Sequence, residues 1–262
     1  MLETFSKIGE RKNLPLIPLT IPDLKALLFN SQGQRQGLKH LYSQLPDTSC
    51  QRRTLCCSLL PELSLIEALE ALEQLRKFPP VRRRELTQKI IRYFFINPLE
   101  ITGCPFLEDR DCLIYPTRFF GCRAYGLWSK GYYQQSAHRA RLIKKNVVQL
   151  WRNLGVPLPE KVTGHQVAYC AAVETIGPSK MSDKDLLQTA GRIEGFSEKL
   201  NPWHLRFREG YFQDLSFLTA GLFIDLSEAV RLKFTLVRDL LQTGDRNPLE
   251  QWVAGVPDLF DF

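Results

Sequence analysis

The sequence predicts a mostly α-helical fold: one helical domain organised around a cysteine-rich irregular loop region that binds a metal or an iron–sulfur cluster. Three observations predict it. Apolar residues recur at helical spacing over most of the chain, strand signals are few, and six of the seven cysteines fall between residues 50 and 122. The 262 residues are 44% hydrophobic and 24% charged, ordinary for a folded chain and enough for a sizeable core. Lys and Arg number 35 against 28 Asp and Glu, a formal charge of +7. No stretch approaches about 18 consecutive apolar residues, so no membrane span is expected. The most apolar window, Phe217 to Leu226, is short and holds Asp225. The first residues lack a basic region followed by an apolar one, so the expected location is cytoplasmic.

The elements follow in order. Pro15, Pro18 and Pro22 make residues 1–21 an extended arm. Residues 23–45 are helical, interrupted near Gly33. Ser64-Leu65-Ile66-Glu67 is a capping box. It opens a helix whose apolar side is Leu65, Ile66, Ala68, Leu69, Leu72 and Leu75, and Pro79-Pro80 end the run. The next helix sets Leu86, Ile90, Ile91 and Phe94 on one face, and Arg82, Arg83, Arg84, Lys89 and Arg92 on the rest. Residues 98–131 have Pro98, Pro105 and Pro116 and little periodicity, so an irregular segment is expected, of a kind that is often functional. Helix returns over 136–154 and stops at Gly155 and Pro157. Further helices are expected at 164–176, 182–200 and 211–242. The organisation expected is an arm and helix (1–45), a cysteine-cluster region (46–131) and a C-terminal helical region (132–262), packed as one domain.

Seven cysteines are an odd number, so full pairing within one chain is excluded. Cys50, Cys56, Cys57, Cys104, Cys112 and Cys122 cluster, and only Cys170 stands apart. Thiolates are soft ligands for zinc, copper(I) or iron–sulfur clusters. The spacing shows neither two C-x2-C pairs of a zinc ribbon nor the ferredoxin run. Six candidates also exceed the four that zinc takes, so a 4Fe–4S cluster is expected ahead of zinc. The helical hairpin of residues 64–96 returns the chain to its start and brings the two halves of the cluster together. Cys104, Cys112 and Cys122 are the firmest ligands, with Cys50, Cys56 or Cys57 the fourth. Arg118 and Arg123 flank Cys122, where cations lower thiol pKa values and offset cluster charge. The Tyr115 hydroxyl either donates to a sulfur or the residue simply packs; the sequence weighs the two equally.

The residues Cys104-Pro105-Phe106-Leu107, Cys112-Leu113-Ile114-Tyr115, Arg118 and Cys122-Arg123, preceded by Cys50 and Cys56-Cys57, resemble the YkgJ-like cysteine-cluster family. That family is described as a zinc- or iron-chelating CxxCxxCC domain. Arg53 stands where its second cysteine would fall, and Phe119 replaces its proline. The resemblance covers residues 50–123. It also implies kinship with flagellin lysine N-methylases, and with it S-adenosylmethionine and a protein lysine N-methyltransferase activity. No G-x-G-x-x-G accompanies it.

Other residues have plainer readings. His40, His138, His165 and His204 are scattered and read as structural. Glu67 reads as the cap and not as a catalytic carboxylate, and no catalytic residue is assigned. Arg82-Arg83-Arg84 and Arg139, Arg141, Lys144, Lys145 read as solvated basic faces, so nucleic acid is not the expected partner. The tail 258–262 either docks on a partner or folds back. The sequence therefore predicts a metal-binding protein with a 4Fe–4S cluster in an electron-transfer or accessory role, meeting a protein partner or substrate. The alternatives are the methyltransferase and a structural zinc protein acting as a partner-binding module.

Overall fold

The computed structural model describes residues 18–49, 53–176 and 181–260. The arm expected over residues 1–21 lies mostly outside them. Helix α1 spans Ile21–Asn30 and is closed at its start by a Thr20/Asp23 capping box with a proline in its first turn. Helix α2 spans Gln32–Ser43. The break falls at Ser31 and not at Gly33, because α1 ends there. Helix α3 (Leu65–Arg76) carries the expected Ser64/Glu67 capping box. Helix α4 (Pro80–Ile96) follows, with a proline in its first turn. All the expected apolar positions of α3 and α4 are buried.

The α4 arginines are engaged internally. Arg82 pairs with Glu108, Arg83 with Asp258, and Arg92 with Glu250 at 2.5 Å. Arg84 donates to the carbonyls of Ala254 and Val256. These contacts draw the tail back onto α4, and Leu259 and Phe260 join the core. That settles the tail as far as residue 260. Residues 261 and 262 lie outside the described part.

Residues 98–131 are irregular, as expected, with short elements. Strands β2 (Leu107–Glu108) and β3 (Asp111–Cys112) form an antiparallel hairpin. Its two-residue turn, Asp109-Arg110, has positive φ at both positions, the geometry that matches strand twist. A 3-10 turn at Tyr115–Thr117 and helix α5 (Phe120–Ala124) complete the segment. Helix α6 spans Lys130–Asn153, longer at its start than expected because Ser129 caps it.

Two expectations are corrected. Residues 164–176 do not form a helix. Only α7 (Glu160–Thr163) precedes them, and Glu174–Ile176 is strand β4, paired antiparallel with β1 (Asp47–Ser49). β-Branched Val173, Thr175 and Ile176 suit a strand. The expected helix at 211–242 is broken. Helix α8 (Asp183–Glu198) is followed by α9 (Trp203–Gly210), α10 (Leu215–Gly221) and α11 (Leu226–Thr243). Asp214 and Asp225 each accept backbone N–H groups and start a new helix. Helix α12 (Asn247–Ala254) ends the series.

The core forms where α4 packs against α10, α11 and α12, and α3 against α2, α8 and α9. Phe94 stacks on Phe217 at 5.0 Å. No helix among the described residues is long and apolar enough to cross a membrane.

Candidate functional site: a thiol-lined cavity

Glu67 organises the wall behind the site. It is 7% exposed and accepts four hydrogen bonds. Ser64 gives Oε2 its backbone N–H (3.1 Å) and its hydroxyl (3.0 Å). The Tyr42 hydroxyl and the Phe120 N–H each reach Oε1 at 2.6 Å. One carboxylate thus ties α2, α3 and the first turn of α5, which carries Cys122. This is more than a helix cap, and it leaves no lone pair for catalysis. Burial, then Glu67 itself, pushes the Tyr42 hydroxyl far above its usual range.

In front of that wall lies a cavity of about 80 Å³. Cys56 and Cys57 enter it from a 3-10 turn at Leu55–Ser58. The Cys104 N–H donates to the Cys57 carbonyl at 2.6 Å, which fastens the segment before the hairpin to that turn. The intervening Gly103 has φ +78°, and a Cβ there would sit 3.3 Å from that same carbonyl. Cys112 arrives on β3 and Cys122 on α5. Cys170, which the sequence set apart, also lines the cavity. It gets there because Tyr125 and Tyr133 donate their hydroxyls to the carbonyls of Ala168 and Val167. Gly126, with φ +85°, lets Val173 press close. All six described cysteines are therefore free thiols on one cavity.

Four of the thiols, Cys56, Cys104, Cys112 and Cys122, are held in the neutral form. Burial pushes Cys104 up to about 12, and it raises Cys112 and Cys122 as well. Cys56 rises by its contact with Cys57, Sγ to Sγ 3.8 Å, and then by burial. That is the one sulfur–sulfur hydrogen-bond contact among the described residues.

At the mouth, Arg118 lies over the Tyr115 ring at 4.0 Å, and Arg123 lies over Tyr42 at 4.3 Å. Arg123 donates to the carbonyls of Arg118 and Pro116. Among the described residues neither guanidinium meets a carboxylate. Burial, then the Arg118 charge, lowers the Arg123 pKa. Thr48, Tyr115, Arg118 and Arg123 also border an outer groove of about 330 Å³, beside Lys39. Among the described residues the Tyr115 hydroxyl makes no bond to sulfur. Its ring supports Arg118 instead.

The expectation of a metal centre is corrected by this geometry. Among the described residues no group of three or more His, Cys, Asp or Glu is placed to hold a metal ion. Cys56, Cys57, Cys104, Cys112 and Cys122 line the walls of a cavity and do not meet at a point. Cys50 lies outside the described residues. The 4Fe–4S cluster, the zinc alternative and the cluster-ordered loop fall together. What orders residues 98–131 is protein: the hairpin, the Lys89 ammonium donating to the Leu107 carbonyl at 2.7 Å, and Phe106 packed edge-on against Phe119.

Comparison with protein families, with curated proteins and with solved structures finds no match to the chain. Membership of the YkgJ-like family is accordingly not supported, and neither is kinship with the flagellin methylases. The sheets among the described residues are two antiparallel pairs of short strands, with no parallel sheet of the kind that cradles S-adenosylmethionine in nucleotide-binding folds.

His40, beside Gln44, and His165 and His204 have structural surroundings. His165 shares a hydrogen bond with Ser58 at 3.1 Å, and buried His204 lies 3.5 Å from Glu194. Of the site residues, Cys170, Tyr42 and Tyr125 were missed from sequence. A strand signal at 173–176 would have corrected the helix expected there without placing Cys170. Nothing in the sequence marks the two tyrosines.

Proposed function

We propose that the protein binds a small organic anion. A short apolar or sulfur-bearing end enters among Cys56, Cys57, Cys104, Cys112, Cys122 and Cys170. The charged end stays at the mouth with Arg118, Arg123 and Tyr115. The observation that carries this reading is the pairing of an apolar thiol cavity with two adjacent guanidiniums that meet no carboxylate among the described residues. A cavity of about 150 Å³ accepts a benzene ring. A cavity of about 80 Å³ suits a chain of a few atoms. Two like charges side by side repel, and an anion between them relieves the repulsion while forming charge-assisted hydrogen bonds.

Six free thiols suit a reducing compartment, so the proposal places the protein in the cytoplasm. It also keeps residues 1–45, 46–131 and 132–262 as parts of one domain, because residues from each share the hydrophobic core.

The test is calorimetric titration with n-alkyl and methylthioalkyl carboxylates of increasing length. Affinity should rise with chain length and then fall once the cavity is full. Arg118→Gln should weaken binding about tenfold or more, the worth of one charge-assisted bond. Equal affinity in wild type and Arg118→Gln, or no binding of any member, would sink the proposal.

A further inference from the structure

The strongest charge asymmetry lies away from the thiol cavity, on α6. Residues 130–153 contain six Lys or Arg and no Asp or Glu, so this helix alone carries +6 of the chain's +7. Lys144 turns inward and donates to the carbonyls of Val162 and His165. The other five, Lys130, Arg139, Arg141, Lys145 and Arg152, make no ion pair and no side-chain hydrogen bond among the described residues, and all five are exposed. The contrast with α4 is direct: there Arg82, Arg83 and Arg92 each have a carboxylate.

Helix α6 is also presented outward. None of its residues is buried. It is held along one side by Tyr133 against Tyr169, Trp151 against Phe234, and Lys144. The opposite side is left to the cations and to the exposed amides Gln134, Gln135, Asn146 and Gln149. Its length, 24 residues, corresponds to about 36 Å, close to one turn of a DNA duplex, and a helix about 10–12 Å across fits the major groove. Amides both donate and accept, as base edges require, and cations meet phosphates. The carboxylates of an acidic protein surface only accept, whereas base edges match both the donor and the acceptor of each amide. Leu142 and Leu150 are exposed, but Leu150 borders a groove shared with Val147, Trp151 and Val230, which leaves Leu142 as a lone leucine among the cations and amides, so no continuous apolar face suits a bilayer.

We propose that the outer face of α6 is a docking surface for double-stranded DNA. Its affinity is dominated by phosphate contacts from Arg139, Arg141, Lys145 and Arg152. This reverses the expectation from sequence, which treated these residues as a solvated face. The reversal comes from the missing carboxylate partners, which only the fold reveals. The proposal is independent of the thiol cavity.

The test is fluorescence anisotropy of the full chain with a labelled duplex of about 20 base pairs, across salt concentrations. Four phosphate contacts give a slope of about −3.6 in log K against log salt, so affinity should fall roughly 100-fold between 50 and 200 mM salt. Replacing Arg139, Arg141, Lys145 and Arg152 together by Gln should flatten the slope towards zero and weaken binding at low salt by at least about 50-fold. Circular dichroism of that variant should match wild type, since the four side chains are exposed. Absence of duplex binding at low salt would overturn the proposal. So would a slope unchanged by the substitutions, or equal or tighter binding to polyglutamate or to anionic vesicles.

Discussion

Replacing Glu67 by Gln is the sharpest probe of how the site is held. The carboxylate is buried and accepts four hydrogen bonds, from Ser64 N–H, Ser64 Oγ, Tyr42 Oη and Phe120 N–H. Glutamine keeps one acceptor oxygen, which can still serve Tyr42 and Phe120, but those bonds lose their charge assistance at about 1 kcal/mol each. The amide nitrogen then faces the Ser64 N–H, donor against donor, and leaves that group unsatisfied for a further 1–2 kcal/mol or so. The Ser64 hydroxyl can turn and accept, so it adds little. The total is a loss of about 3–4 kcal/mol, or roughly 6–8 °C in Tm for a chain of this size. Calorimetry and urea unfolding measure it. Tyr42→Phe removes one bond only and should cost about 1–2 kcal/mol. A Glu67→Gln protein within about 0.5 kcal/mol of wild type would refute the view that this carboxylate ties three elements together.

Three further outcomes are expected. With Cys104 pushed up to about 12, its native thiol should alkylate about 1,000-fold more slowly at pH 8 than a free cysteine, read by mass spectrometry of labelled peptides. Equal rates would contradict the buried, neutral cavity. Burial lowers Lys233 to about 8, and its ammonium donates to Asn97 at 3.0 Å beside the Phe94 ring. The folded chain gives up that proton before the unfolded chain, whose lysines titrate near 10.4, so wild type gains stability as pH rises from about 8 to 10. Lys233→Met should lack that gain in denaturation curves, and a difference between the two proteins that does not vary with pH would exclude it. Gly126→Ala should destabilise by about 1–3 kcal/mol, because φ is +85° and the new Cβ would lie 2.6 Å from Val173. A neutral result in thermal unfolding would show that residues 164–176 have room to shift.

Sequence carried the helices well where end signals were local. The Ser64/Glu67 box and Pro79-Pro80 set α3 and α4 within a residue or two. It failed where an apolar run concealed a cap. Asp214 and Asp225 break the region 211–242 into separate helices, yet the leucines around them keep a helical period. The clustered cysteines were legible as one site, and the structure does bring Cys56, Cys57, Cys104, Cys112 and Cys122 to one cavity. Counting thiols could not say whether they meet at a point, and the described ones do not. Cys170 was set aside for its distance along the chain. Its position depends on β4 pairing with β1, a contact between segments more than 120 residues apart that no local pattern encodes.

That pairing also bears on the order in which the molecule assembles. Thr48 and Val173 flank the cavity, and the ribbon joining Asp47–Ser49 to Glu174–Ile176 closes a very long loop. Helices form in about a microsecond and loops of this length close late. The thiols are therefore expected to stay open to solvent until the ribbon closes, when burial quenches them. A chain refolded in air has ample time to form wrong disulfides, and recovery of the native fold should require a reductant until the ribbon has closed.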